Sequence, residues 1–132
     1  MIEVGQTASL SKTITELDIE IMAALTGDRN PLHLDESFAQ RTRFRGRIAH
    51  GLFAQGLISA LIGTKLPGFG SILLDEETIF MGAVRIGDTL TAQVEIVAIE
   101  GKKVKLKTHC VSDRQKLIVS GKALVLIEGF ER

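Results

Sequence analysis

The chain has 132 residues, 45% hydrophobic and 24% charged, enough to build one domain with a real core and too apolar for a disordered chain. Sixteen basic residues balance sixteen acidic ones and neither Trp nor Tyr is present, which removes the cationic surface and the aromatic platform that nucleic-acid binding needs. The single cysteine, Cys110, can form neither an internal disulfide nor a zinc cluster, so a reducing, cytoplasmic setting is expected.

The N-terminal stretch lacks the basic start and apolar run of a secretory signal. Residues 4–14 read as a first strand, with Val4, Leu10 and Ile14 turned inward. Thr15 or Thr13 then caps a helix running to about Leu25, because Leu17, Ile21, Ala24 and Leu25 recur at helical spacing. The segment from Thr26 to Asp35 carries Gly27, Asp28, Asn30 and Pro31 and reads as a loop. Asp35 caps a short helix, and Arg41 to Arg47 form an irregular basic connection.

From Ala49 to about Thr64 the pattern is helical. Ala49, Leu52, Phe53, Gly56, Leu57, Ala60 and Leu61 share one stripe, while Ala54, Ile58 and Ile62 extend the apolar character around the other side. Such a helix is expected to be buried nearly all round. Gln55, Ser59 and Thr64 interrupt the apolar run and no aromatic belt flanks it, so it reads as a buried helix and not as a membrane span. Pro67 and Gly68 end it. Strands follow: Ser71 to Leu74, Thr78 to Phe80, an alternating run from Leu90 to Ala98, a second from Val104 to Cys110, and a last from Leu117 to Ile127, with turns at 85–88, 100–103 and 112–115. One long buried helix followed by about four antiparallel strands predicts an α+β domain with a sheet wrapped around the helix.

The chemistry concentrates in Gly27-Asp28-Arg29-Asn30-Pro31-Leu32-His33. Asn30 and Pro31 favour a turn that lets Asp28 and His33 converge on one water. Imidazole can take a proton from water, and a desolvated carboxyl can hold one for a carbanion. On spacing alone the segment reads sooner as a turn with a capping Asp and a surface His. Downstream, Gly46-Arg47-Ile48-Ala49-His50-Gly51-Leu52 places Gly51 at the start of the long helix, where free N–H groups and the helix dipole favour developing negative charge. His50 reads as a helix-terminus histidine in preference to a second base, His109 as a surface group, Cys110 as a packing group and Asp88 as a turn residue.

Asp-x-Asn-Pro-Leu-His, then His-Gly opening a long apolar helix, then Leu66-Pro67-Gly68 and Gly87-Asp88-Thr89-Leu90, resembles the MaoC-like (R)-specific enoyl-CoA hydratases over roughly Thr13 to Leu126. The resemblance implies a single hot-dog domain spanning the chain, an antiparallel sheet wrapped around the helix at 49–64, in a homodimer. It implies syn addition of water to a trans-2-enoyl-CoA without metal or cofactor: His33 activates the water toward C3, Asp28 protonates C2, Asn30 orients the site, and the Gly51 N–H holds the enolate oxygen. Ser59 and Ile62 match positions at the floor of the acyl pocket, which predicts short chains. Thr26 stands where serine is common, and Ala83 where proline is usual.

Arg41, Arg43, Arg45 and Arg47 lie between Glu36 and Asp75, where no acidic residue occurs, and suit the phosphates of coenzyme A. Two rivals share the fold. A thioesterase or acyl-carrier dehydratase of this kind places a carboxylate on the central helix, and residues 49–64 have none. A non-catalytic acyl-CoA-binding subunit has no physical need to keep Asp28, Asn30 and His33 together.

Overall fold

The computed structural model describes residues 2–114 and 116–128. Gln115, the end of the expected turn at 112–115, lies outside them. The elements in chain order are β1 (Thr7–Thr13), α1 (Glu16–Thr26), α2 (Pro31–Leu34), α3 (Glu36–Gln40), α4 (Leu52–Thr64), β2 (Ser71–Phe80), β3 (Thr89–Glu100), β4 (Lys103–Ser112) and β5 (Leu117–Ile127). All strands join one antiparallel sheet in the order β1-β3-β4-β5-β2. This sheet curls around α4, which packs against β1, β2, β3 and β4. It is the expected α+β hot-dog arrangement.

The alternation read from the sequence sets the inner face. Leu90, Ala92, Val94 and Ile96 of β3 and Val104, Leu106 and Cys110 of β4 are fully buried. Burial pushes the Cys110 thiol up to about 11, which keeps it an inert packing group. Between Ile96 and Ala98 the register against β4 shifts, so the alternation breaks there and Val97 faces outward. A second shift, between Leu73 and Asp75, explains why Ser71–Phe80 reads as two short strands in the sequence although it is one.

Three packing expectations are corrected. Val4 is 60% exposed and precedes β1, so the strand's inward residues are Ala8, Leu10 and, just past its end, Ile14. In α1 the inward residues are Ile19 and Ala23, while Leu17, Ile21 and Leu25 are exposed. Thr15 caps this helix reciprocally with Asp18, and that cap rotates the Ile19 face onto the core. Beside Asp18, Lys12 and the Thr15 N–H hold its carboxyl below the usual range. In α4 the core face is Ala54, Ile58, Leu61 and Ile62. Leu52, Gly56, Ser59 and Ala60 are exposed, because one sheet covers one side of a helix only. No helix among the described residues is long and apolar enough to cross a membrane.

Candidate active site

Local hydrogen bonding builds the Asp28 loop. Gly27 ends α1 in the left-handed conformation at φ 78°. Thr26 donates its hydroxyl to the Met22 carbonyl at 2.7 Å and accepts from the Asp28 N–H at 3.1 Å, so the hydroxyl retained at this position directs the chain out of the helix. The Asp28 carboxylate accepts from the Asn30 N–H at 3.2 Å, and the Asn30 side-chain oxygen accepts from the Leu32 N–H at 3.1 Å, capping α2. Pro31 opens this single turn, which swings His33 back toward Asp28. The His33 Nε2 to Asp28 Oδ2 distance is 3.9 Å, too long for a hydrogen bond. The Asp28 side chain is 43% exposed, so the desolvated carboxyl expected from the sequence is not present in the chain by itself.

The second segment is stitched to the first. The Ile48 N–H donates to the Leu32 carbonyl at 3.3 Å, and the Ala49 N–H donates to Val84 at 2.8 Å. His33 Nδ1 lies 2.8 Å from the Ile48 carbonyl, which can only accept, so Nδ1 carries a hydrogen and, in the neutral ring, Nε2 keeps its lone pair. His50 is only 2% exposed and its ring stacks on His33 with centroids 3.9 Å apart. Its Nε2 lies 3.0 Å from the Asp28 carbonyl. The sequence places His50 correctly beside the start of α4 but misses this contact, because the stacking partner comes from another loop.

Gly51 caps α4 and borders a cavity of about 820 Å³ that also reaches His33, Leu52, Gln55, Phe80 and Ile118. A Cβ at Gly51 would lie 2.7 Å from the Phe80 ring, so a glycine keeps the helix mouth open beside that ring. None of the residues lining the cavity is an Asp or Glu. Ser59 and Ile62 lie farther along α4 and outside this lining: Ser59 is exposed and Ile62 belongs to the closed core.

The four arginines separate. Arg41 and Arg45 are exposed and away from the cavity, Arg41 lying over the Phe38 ring and Arg45 occupying a left-handed position at φ 57°. Arg43 packs on Phe44 and borders the cavity. The Arg47 guanidinium is already committed: it grips both Glu16 carboxylate oxygens at 2.8 and 3.0 Å and donates through Nε to the His33 carbonyl at 2.6 Å. Cationic groups that sequence reasoning missed are Lys116 and Arg85, both bordering the cavity. Arg85 donates to the carbonyls of Phe44, Gly46 and Arg47 and so shapes the arginine loop. Asp88 is a turn residue as expected, but a buried one, accepting from the Arg85 N–H and paired with Arg114 at 2.9 Å.

Asp28, His33 and His50 bring potential metal-ligand atoms within 4.8 Å of one another. One ring nitrogen of each histidine already serves a backbone carbonyl, which leaves His33 Nε2 and His50 Nδ1 as the free nitrogens of the set. A single antiparallel sheet wrapped around one central helix, with Asp28 and His33 brought near the mouth of that helix, defines the hot-dog class of protein.

Residues 2–120 match the family described as MaoC like domain, and the chain belongs to that family. An (R)-specific enoyl-CoA hydratase from Rhodospirillum rubrum is 45% identical over 128 residues, 96% of this chain and 88% of that protein. A 3-hydroxybutyryl-CoA dehydratase from Methylorubrum extorquens is 44% identical, over 96% of this chain and 81% of its own length. Among solved structures, an (R)-hydratase from A. caviae involved in PHA biosynthesis superposes with a TM-score of 0.92 at 40% identity, covering 96% of this chain and 98% of that one.

Proposed function

We propose that the chain is an (R)-specific enoyl-CoA hydratase, a lyase that reversibly adds water to trans-2-enoyl-CoA to give (R)-3-hydroxyacyl-CoA. The observation that carries this reading is the free His33 Nε2 facing the Asp28 carboxyl beside the open mouth of α4. His33 removes a proton from water as its oxygen bonds to C3. The C2–C3 π electrons move onto the thioester oxygen, which the Gly51 N–H receives at the positive end of the helix. C2 then takes a proton from Asp28, and the pair resets by passing the proton from His33 to Asp28. Asn30 holds the turn between the two groups. A bound acyl chain covers Asp28 and supplies the desolvation that the free chain lacks.

Coenzyme A phosphates fall to Arg43, with Lys116 at the same rim, and Arg41 and Arg45 serve as outlying positive charge. Arg47 acts on the site through its grip on the His33 carbonyl. Ile62 sets the acyl limit by staying in the closed core, which favours short chains such as crotonyl, while Ser59 stands exposed on α4. The working form is a homodimer in the cytoplasm. Its support is the free edge of β2, where Ile72, Leu74, Ile79 and Phe80 are exposed and Phe80 borders the cavity. The lack of a carboxylate anywhere on α4 speaks against a thioesterase.

The test is incubation of the purified protein with crotonyl-CoA. Loss of enoyl absorbance with (R)-3-hydroxybutyryl-CoA as product is expected. Release of free CoA thiol without hydration would replace this reading with the thioesterase.

A further inference from the structure

His50 touches both partners of the acid–base pair without belonging to it. Its ring lies against one face of His33, and its Nε2 meets the carbonyl of Asp28 at 3.0 Å. Phe53, in the first turn of α4, meets the ring edge-on at 6.0 Å between centroids. A carbonyl only accepts, so the hydrogen sits on Nε2. Nδ1 is buried and has no hydrogen-bond partner among the described residues, so a hydrogen there would meet no acceptor. The two stacked histidines therefore hold opposite tautomers: Nδ1–H on His33 and Nε2–H on His50.

We infer that His50 is the positioning residue that registers the acid against the base, its Nε2–H fixing the backbone of Asp28 while its ring fixes the plane of His33. The inference rests on the hydratase reading for the roles of Asp28 and His33. Its physical content is separate. Asp28 leaves α1 on a loop whose own bonds set its local turn but not its distance from α4. The bond from His50 supplies that distance, because His50 immediately precedes Gly51 at the mouth of α4. One side chain thus ties the proton donor, the proton acceptor and the helix end into a single frame. Small misplacements of reacting groups lower turnover far more than they lower binding. His50 borders neither the cavity nor its cationic rim, so its loss should show in kcat and not in KM.

Two variants separate the bond from the stack. His50→Phe keeps a flat ring against His33 and has no N–H for the Asp28 carbonyl. His50→Gln keeps an N–H donor at similar reach and loses the ring. With crotonyl-CoA, His50→Phe is expected to lower kcat more than fivefold with KM inside threefold of wild type, and His50→Gln to recover part of that loss. A His50→Phe protein within fivefold of wild-type kcat, or one whose KM rises as steeply as kcat falls, overturns the inference. Long-range proton–nitrogen spectra of the labelled wild-type protein at pH 8 read the tautomers without any assay. Opposite tautomers for His33 and His50 are expected, and the same tautomer on both overturns the inference even if the variants misfold. A wild-type protein that does not hydrate crotonyl-CoA refutes the functional reading alone, since the tautomers are measured independently.

Discussion

Asp28 and His33 differ in what their removal takes from the fold. Asp28 is partly exposed and bonded to its own loop, whereas His33 is 7% exposed, stacked on His50 and bonded to the Ile48 carbonyl. Asp28→Asn should therefore lower crotonyl-CoA turnover by about two to four orders of magnitude with an unchanged melting temperature. His33→Ala should lose activity on the same scale and also lose about 1–3 kcal/mol of stability, because the part-buried Ile48 carbonyl is left without its donor. Turnover and thermal melts check both, and more than about a tenth of wild-type turnover in either variant would rule out the pair. The sequence reading treats both as loop residues with little packing. That holds for Asp28 and fails for His33, whose burial comes from a segment 15 positions away in sequence.

At the scale of elements, Gly121 of β5 lets the β2 backbone come close. A Cβ there would lie 1.9 Å from the Glu77 carbonyl oxygen, which is backbone of β2 and cannot swing aside. Gly121→Ala should separate β2 from β5, with a loss of stability on the order of 1–3 kcal/mol in a denaturant titration. An unchanged midpoint would mean that β2 is held by something other than this pairing. In α4, Ile62 is 1% exposed within the core, so Ile62→Ala should cost about 2–5 kcal/mol. If the space it vacates joins the acyl pocket, the same variant should raise the rate for longer enoyl chains relative to crotonyl. An unmoved chain-length profile would remove Ile62 from substrate selection. The existence of α1 and α4 and the end of α4 at Thr64 were legible from periodicity, although α4 starts at Leu52 and not at Ala49, and the faces were not: in both helices two apolar stripes competed, and tertiary packing chose between them.

For the whole molecule, the proposed second copy has a physical motive. β2 ends the sheet with an unpaired edge and exposed Ile72, Leu74, Ile79 and Phe80, while the far side of α4 leaves Leu52, Gly56, Ser59 and Ala60 uncovered. A dimer is expected by light scattering at micromolar concentration, and Ile79→Asp on the β2 edge should shift it toward monomer with reduced activity. A wild-type monomer with full activity would contradict the assembly and the reasoning from the exposed edge together.

Composition, periodicity and turn chemistry act over a few residues. They were therefore sufficient, without coordinates, for the α+β class, the central helix, the alternating strands and the turn at Asp28–Asn30, but the segment Pro31–Leu34, read as loop, is a helical turn that carries a buried His33. Relations between distant segments have no local signal. The order of the strands, the commitment of Arg47 to Glu16 and His33, the arrival of Lys116 and Arg85 at the cavity, and the stacking of His50 under His33 were decided only when the sheet closed around α4. Closure brings together groups that the chain keeps far apart, and burial then permits only those polar groups that find a partner.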